Sequence, residues 1–148
     1  MPSPMEEALA AAARAGAEGE VPVGAALVEH ATGKVLAIAG NQVEMLHDPT
    51  AHAEMLVLRE GAGKRRLPRL EDCDLYVTLE PCAMCAAAIS FARIRRLYFA
   101  AYDPKGGAVE HGARFFTLST CHHRPEIYGG IEERRASALL KRFFGERR

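Results

Sequence analysis

Two short segments of this chain carry residue types that bind metal ions. The first contains His52 and Glu54, and the second, Pro81-Cys82-Ala83-Met84-Cys85, supplies two thiols three positions apart. Zinc takes such imidazole and thiolate ligands, usually four of them in a structural site and three in a catalytic site, where one position stays open. Only three good ligands stand at close spacing here, and a carboxylate accompanies the histidine. The pattern therefore predicts a zinc centre that activates water.

The helices predicted around these residues favour convergence on one point. Thr50 suits the N-cap of a helix over about residues 51–61, and Pro81 suits the first position of a second helix. Cys82 and Cys85 would then share one face of a first turn, where the helix dipole favours thiolates. Side chains of a first turn tilt toward the N-terminus and can meet just beyond it. We therefore expect two helix N-termini to face one metal ion.

Other cysteine and histidine residues leave alternatives open. Cys73 begins a predicted strand and Cys121 lies in a polar segment, so we expect structural or free thiols. Adjacent histidines rarely converge on one ion, so His122 and His123 are expected at a surface or an interface. A non-enzymatic, zinc-stabilised RNA-binding module would instead recruit Cys73 or Cys121 as a fourth ligand and would not need Glu54. A redox pair also uses the Cys-x-x-Cys spacing.

The composition is that of an ordinary globular protein. Its 148 residues, 49% hydrophobic and 26% charged, suit one domain over residues 1–148 with a single core. No apolar run approaches the roughly 18 residues of a membrane span, and residues 1–7 lack a signal-peptide pattern. Four cysteines with a Cys-x-x-Cys pair fit a reducing compartment. We expect a cytoplasmic protein without a membrane partner.

A net charge of zero conceals an asymmetry along the chain. Residues 1–54 carry two basic and eight acidic side chains, whereas residues 55–148 carry seventeen basic and eleven acidic ones. The last fifteen residues hold six basic side chains and one acid. Such a tail indicates a polyanionic partner on one surface, with a solvated helix face as the alternative.

The elements that must position the metal-binding residues alternate between helix and strand. Ser3, Pro4 and Glu6 form a capping-box signature ahead of a helix. A hairpin, two further strands, a last short strand and a terminal helix follow. The predicted bounds are 5–15 (helix), 23–28 and 35–39 (hairpin), 74–79, 96–101 and 127–128 (strands), and 131–144 (helix). The order predicts an α/β fold in which strands 74–79 and 96–101 are parallel.

The metal-binding segments resemble a known group of enzymes. His-Ala-Glu at 52–54 together with Pro-Cys-x-x-Cys at 81–85 is similar to the signature of zinc-dependent nucleoside and nucleobase deaminases. Further segments resemble the bacterial tRNA-specific adenosine deaminases, and the similarity runs from about Glu6 to Arg148. These segments are residues 20–25, Asn41, residues 47–54, residues 75–85 and the ending Phe143-Phe144-x-x-Arg147-Arg148.

The resemblance implies a fold and an activity. The expected fold is a cytidine-deaminase-like, three-layer α/β/α sandwich with a mixed central sheet of about five strands. The expected activity is hydrolytic conversion of adenosine to inosine at the wobble position of an arginine tRNA anticodon. A homodimer with one zinc ion per chain, binding the anticodon stem-loop, is implied as well, and DNA is not an expected partner.

The resemblance also assigns roles to single residues. It implies that His52, Cys82 and Cys85 hold zinc and that Glu54 moves protons as a general acid and base. Asn41 would help to hold the nucleotide, which must leave the base stack to be reached. Without the resemblance, Asn41 is interpreted as a turn residue.

Other residues are expected to contact neighbouring nucleotides of the loop. By the resemblance these are Asp103, Phe144 and Arg148. Residues 109–112, Val-Glu-His-Gly, depart from the small residues that many relatives have there; the departure concerns the detailed contacts of that loop and not the chemistry. A deaminase of guanine or of another free base or nucleoside is the alternative within the same superfamily. The basic tail counts against it, because a small substrate needs no such surface.

Overall fold

The computed structural model describes residues 2–146, which form one five-stranded sheet flanked by helices. In chain order the elements are α1 (Pro4–Ala17), β1 (Gly24–Glu29), β2 (Val35–Gly40), α2 (Val43–Leu46), α3 (Ala53–Arg65), β3 (Cys73–Leu79), α4 (Ala83–Phe91), β4 (Arg96–Ala101), a 3-10 turn (Phe115–Thr117), β5 (Glu126–Gly129) and α5 (Glu133–Glu146). No helix within residues 2–146 is long and apolar enough to cross a bilayer.

The sheet is mixed, with strand order β2-β1-β3-β4-β5. β1 pairs antiparallel with both β2 and β3, whereas β3, β4 and β5 run parallel. The parallel pairing of β3 with β4 across the α4 crossover confirms the prediction from the sequence. Because β3 and β4 both end at the same edge, the segments that follow Leu79 and Ala101 emerge side by side.

Helices cover both faces of the sheet, so the fold has three layers. On one face, Leu75 and Phe99 of the sheet pack against Val57 of α3 and Ile89 of α4. On the other face, alternate strand residues pack against α1 and α5; Ala26 belongs to this cluster. This alternation of strand side chains between two buried faces confirms the predicted α/β class.

The helix that carries the histidine begins later than predicted. The Thr50 hydroxyl and backbone N–H both bond to the carboxylate of Asp48, at 2.7 and 2.8 Å, so Thr50 closes a local turn instead of capping the helix. His52 is the N-cap, and α3 starts at Ala53. Likewise α4 starts at Ala83, with Cys82 as its N-cap, two residues after the predicted start at Pro81.

The capping box at the start of α1 is confirmed. The Ser3 hydroxyl accepts the Glu6 N–H at 3.2 Å, and the Glu6 carboxylate accepts the Ser3 N–H at 3.0 Å. The terminal helix was predicted over 131–144 and occupies Glu133–Glu146. The four-residue helix α2 has no counterpart among the predicted elements.

Candidate active site

The N-termini of α3 and α4 meet at the edge of the sheet, and their capping residues face each other. His52 and Cys82 both have extended backbone, with φ −71° and ψ 151° for His52 and φ −74° and ψ 175° for Cys82. An N-cap side chain normally accepts a backbone N–H of its own helix, but neither of these does so. Instead, the Nδ1 atom of His52 lies 3.6 Å from Sγ of Cys82 and 3.5 Å from Sγ of Cys85.

The three ligand atoms have the spacing of a tetrahedral metal site. They all lie within 4.8 Å of one another. Zinc–sulfur bonds of about 2.3 Å and zinc–nitrogen bonds of about 2.0 Å at tetrahedral angles give nitrogen–sulfur separations of about 3.5 Å. The two distances from His52 match this value. One ring nitrogen carries at most one proton and cannot donate to both sulfurs, so a cation satisfies the cluster better than hydrogen bonds.

The electrostatics of the cluster lead to the same conclusion. Hydrogen bonds from Cys85 and His52 outweigh burial and lower the pKa of Cys82 to about 4. The pKa of Cys85 is raised by its hydrogen bond to Cys82 and by burial, so this thiol keeps its proton. The hydrogen bond to Cys82 raises the pKa of His52. A second thiolate needs additional positive charge, which a divalent cation supplies.

Glu54 lies beside this cluster without belonging to it. The residue occupies the first turn of α3 and is only 3% exposed. Burial raises the pKa of its carboxyl to about 7. A carboxyl that titrates near neutral pH is suited to both taking up and releasing a proton.

A cavity of about 600 Å³ opens onto these groups. Its wall brings together several predicted site residues from distant parts of the chain: Asn41, His52, Glu54, Cys82 and Asp103. The rest of the wall includes Val21, Val23, Val43, Glu20, Glu80, Gly106 and Phe143. Cys85 is fully buried behind the cavity and is not part of its wall.

The two C-terminal phenylalanines differ in their relation to the cavity. Phe143, rather than Phe144, lines the cavity, and the two rings meet edge to face with centroids 5.3 Å apart. Phe144 is 51% exposed. Arg148 lies outside the described residues.

Asn41 lines the cavity and also caps a helix. Its side-chain oxygen accepts the backbone N–H of Ala53, the first residue of α3, at 2.8 Å. The Asn41 side chain thus caps α3, although Asn41 precedes Ala53 by twelve residues. The turn-residue interpretation did not anticipate this role.

Two buried acids on the cavity wall were missed by the sequence analysis. Both oxygens of Glu20 accept N–H groups at the start of α2, from Glu44 at 3.0 Å and Met45 at 2.9 Å. Burial raises the pKa of the Glu80 carboxyl, but hydrogen bonds from Asp103, His111 and neighbouring N–H groups bring it below its usual value. The sequence signal for Glu80 was its position next to the Pro-Cys-x-x-Cys motif. The residues that bond to its carboxylate lie more than twenty positions away along the chain.

The remaining cysteines stand apart from the cluster. Cys73 is buried, and burial raises the pKa of its thiol to about 12. Cys121 donates to the backbone oxygen of His123 at 3.1 Å. Within the described part of the chain, the three-residue group at His52 is the one set of side chains arranged to hold a metal, so neither cysteine supplies a fourth ligand there.

Sequence comparison finds close relatives of this chain. Residues 3–101 match the sequence model of the cytidine and deoxycytidylate deaminase zinc-binding region. A tRNA-specific adenosine deaminase of Agrobacterium fabrum is 56% identical over 147 residues, which cover 97% of this chain and 93% of that protein.

Two solved structures are similar to the fold described above. One, from a study of A-to-I editing by tRNA:A34 deaminases at the wobble position of transfer RNA, has a TM-score of 0.90 and 55% identity, covering 93% of this chain and 98% of that one. A guanine deaminase from Nitrosomonas europaea has a TM-score of 0.83 at 24% identity, covering 98% and 85%. The second likeness shows the fold alone. Together these structures confirm the expected three-layer, cytidine-deaminase-like fold.

Proposed function

Because this chain belongs to the cytidine and deoxycytidylate deaminase zinc-binding family, and to its tRNA-specific adenosine deaminases, we propose that it converts adenosine to inosine in a tRNA. The proposed position is the wobble nucleotide of an arginine tRNA anticodon. The observation that carries the proposal is the buried carboxyl of Glu54 beside a three-ligand cluster at the wall of a cavity of about 600 Å³.

One zinc ion per chain would be held by His52, Cys82 and Cys85. Zinc in such a site lowers the pKa of water to about 7, which makes hydroxide available at neutral pH. Three protein ligands leave one position open, as catalysis requires. The absence of a fourth ligand within residues 2–146 argues against the non-enzymatic RNA-binding module.

Glu54 is proposed as the general acid and base. Its carboxylate takes a proton from the attacking water and delivers protons to the purine ring nitrogen and to the departing amino group. Oxygen bonds to C6 while the C6–N bond breaks, so that ammonia leaves and inosine remains. Because Glu54 is not one of the three ligands, its oxygens stay available for proton transfer.

The cavity wall is proposed to hold the extruded nucleotide. Asn41 uses its oxygen to cap α3, which leaves its NH2 group as a donor for a ligand. Phe143 offers an aromatic ring of the kind on which RNA bases stack. Asp103 follows β4 by two residues and lies on the wall, where it is proposed to face a nucleotide next to the target.

The partner is proposed to be the anticodon stem-loop, bound by a homodimer of this single-domain chain in the cytoplasm. Single-stranded loops are the part of RNA that proteins read by base contacts, and extrusion costs least there. The exposed basic side chains Arg134 and Lys141 of α5 support a polyanionic partner. The dimer is supported by Phe91, a 72% exposed aromatic residue at the end of α4.

A panel of substrates tests this function. Purified protein is incubated with an arginine tRNA anticodon stem-loop, the same hairpin with guanosine at the wobble position, free adenosine and free guanine. Mass spectrometry of the nucleosides should find inosine in the first sample alone. Rapid turnover of guanine without inosine in the hairpin would instead assign the protein to the guanine deaminases.

A further inference from the structure

Glu80 connects the start of the metal-binding helix α4 to segment 103–111, which contributes Asp103 and Gly106 to the cavity wall. It lies between the last residue of β3 and Pro81, and its side chain has no solvent exposure. One carboxylate oxygen accepts the backbone N–H groups of Val109, Glu110 and His111, at 3.1, 2.9 and 3.1 Å. The other oxygen accepts the Asp103 N–H at 3.0 Å and lies 2.8 Å from the His111 ring.

These bonds fix a whole segment rather than one contact. The segment 103–111 folds back on itself, because the Gly107 N–H donates to the Asp103 backbone oxygen at 2.9 Å. It is also joined to the start of α4 by the Ala108 N–H, which donates to the Pro81 oxygen at 2.8 Å. The carboxylate of Asp103 in turn accepts the Gly106 N–H at 3.0 Å. The position of Glu80 therefore sets the positions of Asp103 and Gly106, which both line the cavity.

The space for the Glu80 carboxylate depends on the glycine at position 107. A Cβ atom on Gly107 would lie 2.5 Å from the Glu80 carboxyl carbon and 2.6 Å from the Asp103 backbone oxygen. Any other residue would therefore displace the carboxylate or the backbone. The segment is built around a buried carboxylate.

We propose that Glu80 is a positioning residue for substrate recognition, acting through Asp103. This inference rests on the proposed function, since it takes the substrate to be an RNA loop. Glu80 does not touch the reacting atoms. Its carboxylate holds segment 103–111 in the shape that presents Asp103 to a nucleotide beside the target, and it leaves the metal ligands and Glu54 unchanged.

The hydrogen bonds to Glu80 explain how the segment accommodates Val-Glu-His-Gly at residues 109–112, where small residues were expected. Three of the five donors to Glu80 are backbone N–H groups of Val109, Glu110 and His111, which side-chain identity does not alter. The fifth donor is the ring of His111, a side chain that is 35% exposed. The departure therefore strengthens the attachment of the segment to Glu80.

Glu80→Gln tests the proposal, because it keeps the size of the side chain but replaces one accepting oxygen with an NH2 group. Asp74→Asn is the matched control, since Asp74 is a buried acid at the opposite end of the same strand, paired with Arg95 at 3.0 Å. For the anticodon stem-loop, Glu80→Gln should raise KM by at least about tenfold, while kcat and zinc content change by less than about threefold. Asp74→Asn should leave KM unchanged. His111→Ala, which removes one donor, should raise KM by about threefold.

Hydrogen–deuterium exchange separates this proposal from the proposed function. Glu80→Gln should speed exchange in peptides that cover residues 103–111 and leave α3 and α4 at the wild-type rate. If the wild type does not deaminate the hairpin, the proposed function fails, and the exchange comparison still decides whether Glu80 holds Asp103. Wild-type exchange of 103–111, an unchanged KM, or a raised KM accompanied by loss of zinc would each overturn the positioning role.

Discussion

The side-chain oxygen of Asn41 accepts the backbone N–H of Ala53 at 2.8 Å, which ties the residue after β2 to the first turn of the helix that carries Glu54. The bond fixes the orientation of the amide, because only its oxygen can accept a hydrogen bond. One side chain thus caps the metal-site helix and lines the cavity.

Substitutions of Asn41 should separate these two contributions. Asn41→Asp keeps an acceptor for Ala53, so the free energy of unfolding should change by less than about 0.5 kcal/mol, while loss of the NH2 donor should raise KM for the hairpin. Asn41→Ala loses the cap as well and should lower the free energy of unfolding by about 1 kcal/mol. Urea denaturation and steady-state kinetics measure both effects. An unchanged KM for Asn41→Asp would exclude its NH2 group from substrate binding.

Loss of a thiol ligand should release the metal. Cys82→Ala and Cys85→Ala should each purify with little zinc and with reduced stability, because metal binding contributes directly to folding. Cys73→Ala is the matched control and should retain one zinc per chain, since Cys73 lies outside the three-residue cluster. Elemental analysis of the purified variants gives the metal content. Full zinc occupancy in both ligand variants would refute the assignment.

Glu54→Gln should separate metal binding from turnover. The substitution keeps the size of the side chain but removes its capacity to carry a proton, so kcat should fall by at least about 100-fold. Zinc content should stay at the wild-type level, because Glu54 is not one of the clustered ligands. Deamination at a near wild-type rate would show that Glu54 has a structural role.

Removing charge from the C-terminal end should alter the salt dependence of RNA binding. Each phosphate contact releases counterions, so replacing Arg147 and Arg148 with alanine should reduce the slope of log K against log salt by about one unit per lost contact. The control pair is Arg69→Ala with Arg124→Ala, two exposed residues that do not line the cavity. Filter binding across a salt series provides the measurement. Equal slopes for the C-terminal variant and the wild type would show that Arg147 and Arg148 do not contact RNA phosphates.

Local spacing was sufficient to predict the metal cluster and most of the strands. Cys82 and Cys85 belong to one helix start, and His52 to another, so short-range patterns identified all three. The parallel pair β3 and β4 followed from the helix between them. Such features depend on neighbours along the chain.

Features that depend on distant partners could not be predicted. The Thr50 hydroxyl bonds to Asp48, and the first N–H of α3, that of Ala53, is instead capped by Asn41, twelve residues earlier in the chain. Helix α2 is only four residues long, and Glu20 binds the N–H groups at its start from more than twenty residues away. The periodicity of the chain likewise gave no means to choose Phe143 over Phe144 for the cavity wall.

Deamination in water enriched with oxygen-18 tests the central claim most directly. The account predicts that the zinc-loaded wild type, given the arginine tRNA anticodon stem-loop, forms inosine that carries one heavy oxygen at C6, and that Glu54→Gln forms almost none. Mass spectrometry of the released nucleosides detects the label at the wobble position. Inosine without the heavy oxygen, or no inosine from a zinc-loaded enzyme that deaminates guanine, would contradict the account.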